Sequence, residues 1–507
     1  MSDTTAGSVS LDSSLGRIVI VTTVAGSAVA MLTATVVNVA LPVLASDLDA
    51  SSSQQQWVVN AYLLSIASMI LIGGSLGDRY GRLKMYRLGV VWFAVASALC
   101  AIAPSVEVLI VARLLQGIGG ALLTPGSLAI IESTFRHEDR GRGVGQWSGL
   151  GGIAGAIGPL VGGVLVDFSW RWVFLVNIPV AVLVLVLARR LPESRDPSAK
   201  DEKLDVVGAA LTAVALGGAS YALIQGNVGG FGTLDALATA AAVLAVVGLA
   251  WFEPRQPHAI VPFELFAERR FAAANVVTFL VYGGMGVVFF LLSIQLQVSV
   301  GWSPLAAGAA LLPITVLMLL LSSRAGDLAQ RIGPRLPLTV GPAMIAVAMV
   351  MFSRVDAGDT YLTGVLPAVL VFGFGLALSV APVTATALGS VPDDRAGVAS
   401  GTNNAVARTG QLLAIAAVPP IVGLTNDALS DPAQLTTGFA DAMLAGAGFV
   451  AVGAIAAALL FRSDDREPAP EADGDGPAAS DYEGSAYHCG VDGPSTVIGP
   501  IDSAGNR

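Results

Sequence analysis

The sequence predicts an all-α integral membrane protein: two pseudo-symmetric six-helix bundles with two further helices inserted between them, fourteen spans in all and both termini cytoplasmic. Three observations predict it. Only 13% of the 507 residues are charged and mean hydropathy is +0.72, a membrane composition that leaves little room for a soluble domain. Apolar stretches close to the roughly 20 residues that span a bilayer recur along the chain. Lysine and arginine collect on alternate connections between them.

Reading apolar runs against charged or Gly/Pro-rich loops puts helices near 18–42, 56–74, 84–103, 107–132, 143–166, 172–189, 206–224, 235–252, 271–294, 304–322, 337–352, 361–384, 397–424 and 438–461. The Ala/Val/Gly-rich pair 206–224 and 235–252 forms the insertion, or a re-entrant hairpin about its Gly-Gly-Phe-Gly link. With the amino terminus inside, the cytoplasmic side receives Arg17; Arg79, Arg82, Lys84 and Arg87; Arg136, Arg140 and Arg142; Arg189, Arg190, Arg195, Lys200 and Lys203; Arg255, Arg269 and Arg270; Arg324, Arg331 and Arg335; Arg395; and Arg462, Arg466 and Arg507. That is 23 of 27 basic residues. The outside receives Arg171 and Arg354, while Arg113 and Arg408 fall inside helices. Deleting one helix anywhere scrambles this segregation, so the count is even.

The boundaries follow: 1–16 a cytoplasmic tail, 17–190 the first bundle, 191–204 a linker, 205–253 the inserted pair, 254–270 a second linker, 271–461 the second bundle, 462–507 a terminal tail. The formal charge of −10 is mostly local, since 462–507 holds ten Asp/Glu and three Arg. Rich in Gly, Pro and Asp, that tail buries too little apolar surface to fold alone and is expected to be disordered. The first sixteen residues lack the basic region of a signal peptide, so the run that follows is a retained first span. Cys100 and Cys489 cannot make a disulfide framework, and His137, His258 and His488 stand singly, so no metal or cofactor is assigned.

A short segment occurs twice. Residues 74–82 read GSLGDRYGR and 326–334 read GDLAQRIGP, sharing Gly74/Gly326, Leu76/Leu328, Arg79/Arg331 and Gly81/Gly333 at equal offsets. Both follow an even-numbered helix on the same side, a parallel repeat as two bundles related by an axis along the membrane normal require. The glycines permit a tight turn, and Asp78 with Arg79 and Arg82 can clamp neighbouring helix ends.

Across essentially its whole length to about Phe461 the chain resembles the major facilitator superfamily, specifically its fourteen-helix drug/proton antiporter branch. Residues 74–84 look like that superfamily's loop between helices two and three, with Leu83 at a position often basic. Residues 109–120 (LIVARLLQGIGG) resemble the fourth-helix motif, whose arginine, here Arg113, is associated with proton coupling. Residues 155–163 (GAIGPLVGG) resemble the fifth-helix antiporter motif, and 170–179 is similar to the start of helix six. A Gly158–Pro159 pair with Gly162 removes a backbone hydrogen bond and lets helices approach, which makes a hinge or gate. The resemblance implies alternating-access export of small amphipathic compounds, multidrug efflux by proton antiport, from a monomer in the inner membrane with lipid, proton and small-molecule partners and no nucleic acid.

One position departs. Where the branch carries Leu-Asp in helix one, this chain has Leu32 and Thr33. Threonine cannot bind and release a proton as a buried carboxylate does. Coupling is therefore expected to run through Arg113 with Asp47 or Asp167 on the outer side, or Glu132 at the inner mouth. Arg113 and Arg408 qualify as candidates because intramembrane charge costs roughly 2.5–3.5 kcal/mol on insertion scales; snorkelling to headgroups is the structural alternative for Arg113. Candidate substrate contacts are Thr33, Asn38, Asn60, Tyr62, Gln116, Phe289, Phe290, Gln295, Asn403 and Asn404, any of which equally serves to join helices. Without a midplane carboxylate the substrates lean neutral, anionic or broadly apolar. A dedicated exporter of one metabolite or lipid and a non-transporting sensor or scaffold stay open; an enzyme is disfavoured, since no polar loop clusters catalytic side chains and no phosphate-cradling run is present.

Overall fold

The first helix, α1 (Ser14–Leu48), runs further than its apolar stretch because polar residues finish it: the Ser13 side chain accepts from the Gly16 N–H, and Asp49 closes it in a left-handed conformation (φ 48°). Likewise α2 (Ser52–Tyr80) starts at a capping box made by Ser51 and Gln54. The computed structural model describes residues 9–195, 204–226, 232–256, 263–392 and 395–462. The expected tail from 463 onward, Cys489, His258, His488, most of the first linker and residues 257–262 of the second lie outside the described residues.

After α3 (Arg82–Ala101), α4 (Val106–Thr134) and α5 (His137–Phe168) come two pieces, α6 (Trp172–Leu175) and α7 (Asn177–Ala188), where the sequence predicts one helix. Pro179 explains the break, since its ring opposes the Leu175 carbonyl, the last residue of α6. The inserted pair is α8 (Val206–Gln225) and α9 (Thr233–Phe252). Then follow α10 (Phe263–Phe266), α11 (Arg269–Val298), α12 (Pro304–Ala309), α13 (Leu312–Ile332), α14 (Arg335–Phe352), α15 (Leu366–Leu388), α16 (Ala396–Ile421) and α17 (Pro432–Leu460). The span expected over 304–322 is broken between α12 and α13, where Pro313 opposes the Ala309 carbonyl.

Among the described residues there is no strand beyond one isolated bridge, and eleven helices are long and apolar enough to cross a membrane. The segment 153–168 and the α6–α7 pair are shorter apolar runs, and α16 carries more polar residues. Helices α1–α7 pack chiefly with one another, as do α11 and α13–α17, while the short α12 packs chiefly on α5; α8 and α9 pair, and α8 lies against α2 and α16. Side chains such as Val243, Leu244, Val247 and Trp251 on α9 stay exposed, an apolar exterior suited to lipid.

The amino-terminal segment is less free than its composition suggests. Val9 bridges Phe135 backbone to backbone, the Leu11 N–H donates to Asp139 Oδ2 at 3.0 Å, and both side chains are buried. At this basic end, where α2 turns into α3, the buried members of an apolar cluster around Tyr86, Phe93 and Phe135 all come from the first half, with Ala405 of α16 packed against them. At the opposite end, where α1 finishes at Asp47 and Leu48, one apolar core runs through both halves, joining Leu41 and Leu44 to Leu291, Leu311 and Leu429.

Candidate functional site

Arg113 sits two turns inside α4 and is 1% exposed. Its Nε donates to the Val58 carbonyl at 3.0 Å and its Nη1 to Gln116 Oε1 at 2.6 Å. The guanidinium lies 4.3 Å from the centroid of the Tyr62 ring and 5.9 Å from that of Phe174. Among the described residues no carboxylate pairs with it. A carbonyl, an amide and two ring faces therefore replace its hydration, and it does not snorkel toward headgroups. Tyr62 is fixed in turn, its hydroxyl donating to the Ala30 carbonyl at 2.8 Å.

Gln116 passes the contact on. Its Nε2 donates to Ser97 Oγ at 2.8 Å; Asn177 Nδ2 donates to the same oxygen at 3.2 Å; and Thr33 Oγ1 donates to Asn177 Oδ1 at 3.1 Å. Ser97 completes its valence by donating to the Phe93 carbonyl at 2.7 Å. A continuous buried polar chain thus joins Thr33 on α1 to Arg113 on α4 through α7 and α3. Every member is neutral except the arginine, and neither amide carries a proton that it readily gives up.

The fifth helix shows what its proline frees. Pro159 has no N–H for the Gly155 carbonyl, and Thr35 Oγ1 donates to that carbonyl at 3.0 Å. Gly158 allows the approach, since a Cβ there would lie 1.9 Å from Thr35 Oγ1, and Gly162 lies against the Val36 carbonyl. On another side α12 presses on the same kink, with Gly308 so close that a Cβ would meet the Pro159 carbonyl oxygen at 2.1 Å.

At the basic end Gly81 breaks α2 from α3 at φ 112°, and Gly333 separates α13 from α14 at φ 88°. The matched glycines of the repeat thus hold the same left-handed type of turn. Arg82 Nε pairs with Asp78 Oδ1 at 2.7 Å, Arg79 lies over the Tyr80 ring, and Glu132 stands in the field of Arg82, Arg140 and Asp78.

The carboxylates expected to serve Arg113 are not brought to it. Asp47, expected beyond the first helix, lies in the last turn of α1, where its Oδ2 accepts from Trp170 Nε1 at 2.7 Å and pairs with Arg171 Nη1 at 2.9 Å. Asp167 is exposed at the end of α5. The reason is helical reach: Glu132 is about 28 Å along α4 from Arg113.

The remaining candidates fall into two sets. Phe290 is wholly buried, Phe289 stacks edge-on with Phe372 at 6.2 Å, and Gln295 donates to the Val355 carbonyl, all within the second half. Asn403 joins α16 to α11 by donating to Asn275 Oδ1 and Thr278 Oγ1, and Asn404 donates back to the Ser400 carbonyl. Gln295 Oε1, Asn38 Oδ1 and both side-chain polar atoms of Asn60 are buried without a hydrogen-bond partner. Such atoms mark room for a water or a ligand. The Arg408 side chain is half-buried and donates to Gln411 Oε1 at 3.2 Å.

The halves touch unevenly. Gln297 Nε2 donates to the Val39 carbonyl at 3.0 Å, Ser52 N–H to the Asn426 carbonyl at 2.7 Å, and Leu429 N–H to Ser52 Oγ at 3.1 Å. All three bonds lie at the Asp47 end, beside a cavity lined by Pro42, Ser46, Gln55, Val298 and Leu429. The two halves are locked together at that end.

Two helical halves repeating one turn motif, meeting along a seam and closed at one end, are matched by sequence as well: residues 23–415 fit the Major Facilitator Superfamily. The chain belongs to that superfamily. Superfamily relatives include the multidrug resistance protein Stp of Mycobacterium tuberculosis, 33% identical over 79% of this chain and 75% of its own length. The tetracenomycin C resistance and export protein of Streptomyces glaucescens is 34% identical, covering 76% and 72%. The methylenomycin A resistance protein of Bacillus subtilis is 35% identical, covering 82% and 89%. Among solved structures the nucleoside transporter NupG aligns with TM-score 0.60 and 13% identity over 88% of this chain and 100% of its own. A bacterial homologue of the lysosomal transporter Spinster, described as inward-facing and unoccupied, aligns with TM-score 0.60 and 19% identity over 90% and 99%. These likenesses establish the superfamily fold and a multi-pass membrane protein.

Of the residues in these buried contacts, Asn177 falls within the 170–179 motif, while Ser97 and Thr35 lie in none of the four motif segments. A signal existed for each: a hydroxyl or amide inside an apolar run must find a partner in the membrane. Which partner it finds, no run of sequence states.

Proposed function

We propose that this protein is a secondary active transporter of the cell membrane that exports small amphipathic compounds by alternating access, in the manner of multidrug efflux. The observation that carries it is the pairing of a two-half seam, bonded at the Asp47 end, with relatives named for multidrug and antibiotic resistance or export. The proposal includes fourteen spans, counting α5, the α6–α7 pair and α16, with both termini cytoplasmic and the domain boundaries given by the arginine pattern. The Asp47 end is then external, and the conformation is closed to the outside. Proton antiport belongs to the proposal through the carboxylates at helix ends, Asp47, Asp167 or Glu132, because Thr33 holds the place of the expected acid.

The test is expression in a bacterium stripped of its own efflux pumps. Lower steady-state accumulation of several unrelated dyes and raised inhibitory concentrations for several antibiotics are expected. Protection against a single compound would shift the reading to a dedicated exporter, which the missing acid at position 33 also suits. Unchanged accumulation of every compound would sink export altogether.

A further inference from the structure

The charge along the seam points to a class of substrate. From Ser14 to Ser46 on α1, through Gly77 on α2, from Val108 to Ile131 on α4 and throughout α11 and α16, there is no aspartate or glutamate. Five arginines lie on these stretches: Arg17, Arg269 and Arg270 in the first turns of α1 and α11 at the basic end, and Arg113 and Arg408 inside their helices; among the described residues neither of the last two pairs with a carboxylate. A charged guanidinium in a membrane interior persists only with compensating partners, and its field attracts negative charge over a distance that the low dielectric lengthens.

Arg408 is the one a substrate can meet. Gly401 of α16 packs on Leu71 of α2. Seven residues are two helical turns, so Arg408 lies on the same stripe of α16 as Gly401, about 10 Å further toward the Asp47 end. The two helices run in opposite directions, since Ser52 before α2 bonds Asn426 after α16. Leu64, seven residues back from Leu71, therefore stands level with Arg408, and Asn60 is one turn beyond. Asn60 is 0% exposed with its Oδ1 and Nδ2 both unpartnered. The seam thus carries a half-buried cation and, a turn away, an amide with unused donor and acceptor capacity.

Resting on the export reading, we propose that the transported compounds are organic anions, small amphipathic molecules bearing a carboxylate, sulfonate or phenolate, held by Arg408 with Asn60 in the same stripe. The physics of the membrane agrees. An interior-negative potential drives an anion outward with or without proton exchange and opposes export of a cation. Replacement of the expected acid by Thr33 removes a cation anchor and costs an anion exporter nothing in recognition.

The full chain reconstituted in vesicles tests this with three probes: anilinonaphthalene sulfonate as anion, ethidium as cation and an uncharged aromatic dye. Sulfonate flux is expected to exceed ethidium flux and to rise when a potassium gradient with valinomycin makes the receiving side positive. Arg408→Gln is expected to lower the sulfonate-to-neutral flux ratio about tenfold, the scale of one charge-assisted hydrogen bond, and Arg408→Lys to recover much of it. Asn60→Asp, which adds a negative charge to the same stripe, is expected to turn the ratio toward ethidium. Ethidium flux without sulfonate flux, or ratios untouched by both Arg408→Gln and Asn60→Asp, overturns the anion assignment while leaving export intact. Movement of a labelled anionic phospholipid without the sulfonate overturns the small-molecule class. Flux of no probe at all overturns export and this inference together.

Discussion

Thr35 donates its hydroxyl to the Gly155 carbonyl, 3.0 Å away, the oxygen that Pro159 leaves without a helical partner. The same hydroxyl has the Leu32 carbonyl of its own helix as a second acceptor at 3.1 Å, so a preference for the oxygen that the proline frees should link the two positions energetically. Thr35→Val is expected to cost about 1 kcal/mol in the native background. In a Pro159→Ala background, where residue 159 regains its N–H, the cost should shrink, giving an interaction energy of about 0.5 kcal/mol or more. Thermal unfolding of the four proteins in detergent measures it; equal losses in both backgrounds would dismiss the link.

The chain from Thr33 to Arg113 predicts an order of damage. Ser97 Oγ accepts from both Gln116 and Asn177, so Ser97→Ala strands two buried amide donors and is expected to destabilise by about 2 kcal/mol. Thr33→Val removes one donor at the end of the chain and should cost about half as much. Melting temperatures in the reverse order would show that the chain is not the unit it looks like.

Gly81 and Gly333 hold matching turns at positive φ. Alanine at either position is expected to cost about 1–3 kcal/mol, the penalty for an L-residue at positive φ with extended ψ. Gly81→Ala should be the worse, because a Cβ there lies 2.9 Å from Glu193 Oε1. Adding Glu193→Ala to it should recover that excess and leave the conformational penalty, as read by denaturation midpoints.

A bulky residue at Gly308 cannot coexist with the Pro159 carbonyl. Gly308→Leu is therefore expected to open the Asp47 end. A cysteine placed at Ser46, which lines the cavity there, should react about tenfold faster with an impermeant maleimide, a shift of about 1.4 kcal/mol between closed and open states. Unaltered labelling would show that this contact does not hold the halves.

Asp431 caps α17, its Oδ1 accepting from the Gln434 and Ala433 N–H groups at 2.9 Å. The Gln434 bond first, and then that of Ala433, hold its carboxyl below the usual carboxylate value. A depressed folded-state pKa means the stabilisation is full above the ordinary value of 3.8 and fades as pH falls through the lower folded value. Asp431→Asn should keep the cap and flatten this acid-side slope in a pH series of melting temperatures.

Most of the helices could be read because apolar runs and polar connections alternate on the scale of a bilayer. The errors cluster where proline or capping decides: Pro179 and Pro313 split two expected spans, and Ser13 and Ser51 lengthened two others. The candidate site was legible as residue types and illegible as pairs. Arg113 stood out as a charge in an apolar run, yet its partners Val58, Tyr62 and Gln116 gather from two helices, and the expected carboxylates stayed at the ends of theirs.

Sequence by itself determined the membrane-helical class, the superfamily, the doubled turn around Gly81 and Gly333, and the absence of an acid at Thr33, because each is a property of local composition, spacing or residue identity. Tertiary structure alone decided that Thr33 reaches Arg113 through Asn177, Ser97 and Gln116, and that Thr35 satisfies the carbonyl Pro159 frees. A hydrogen bond depends on distances of about 3 Å between atoms 80 or more residues apart in the chain, and only packing of the helices fixes these.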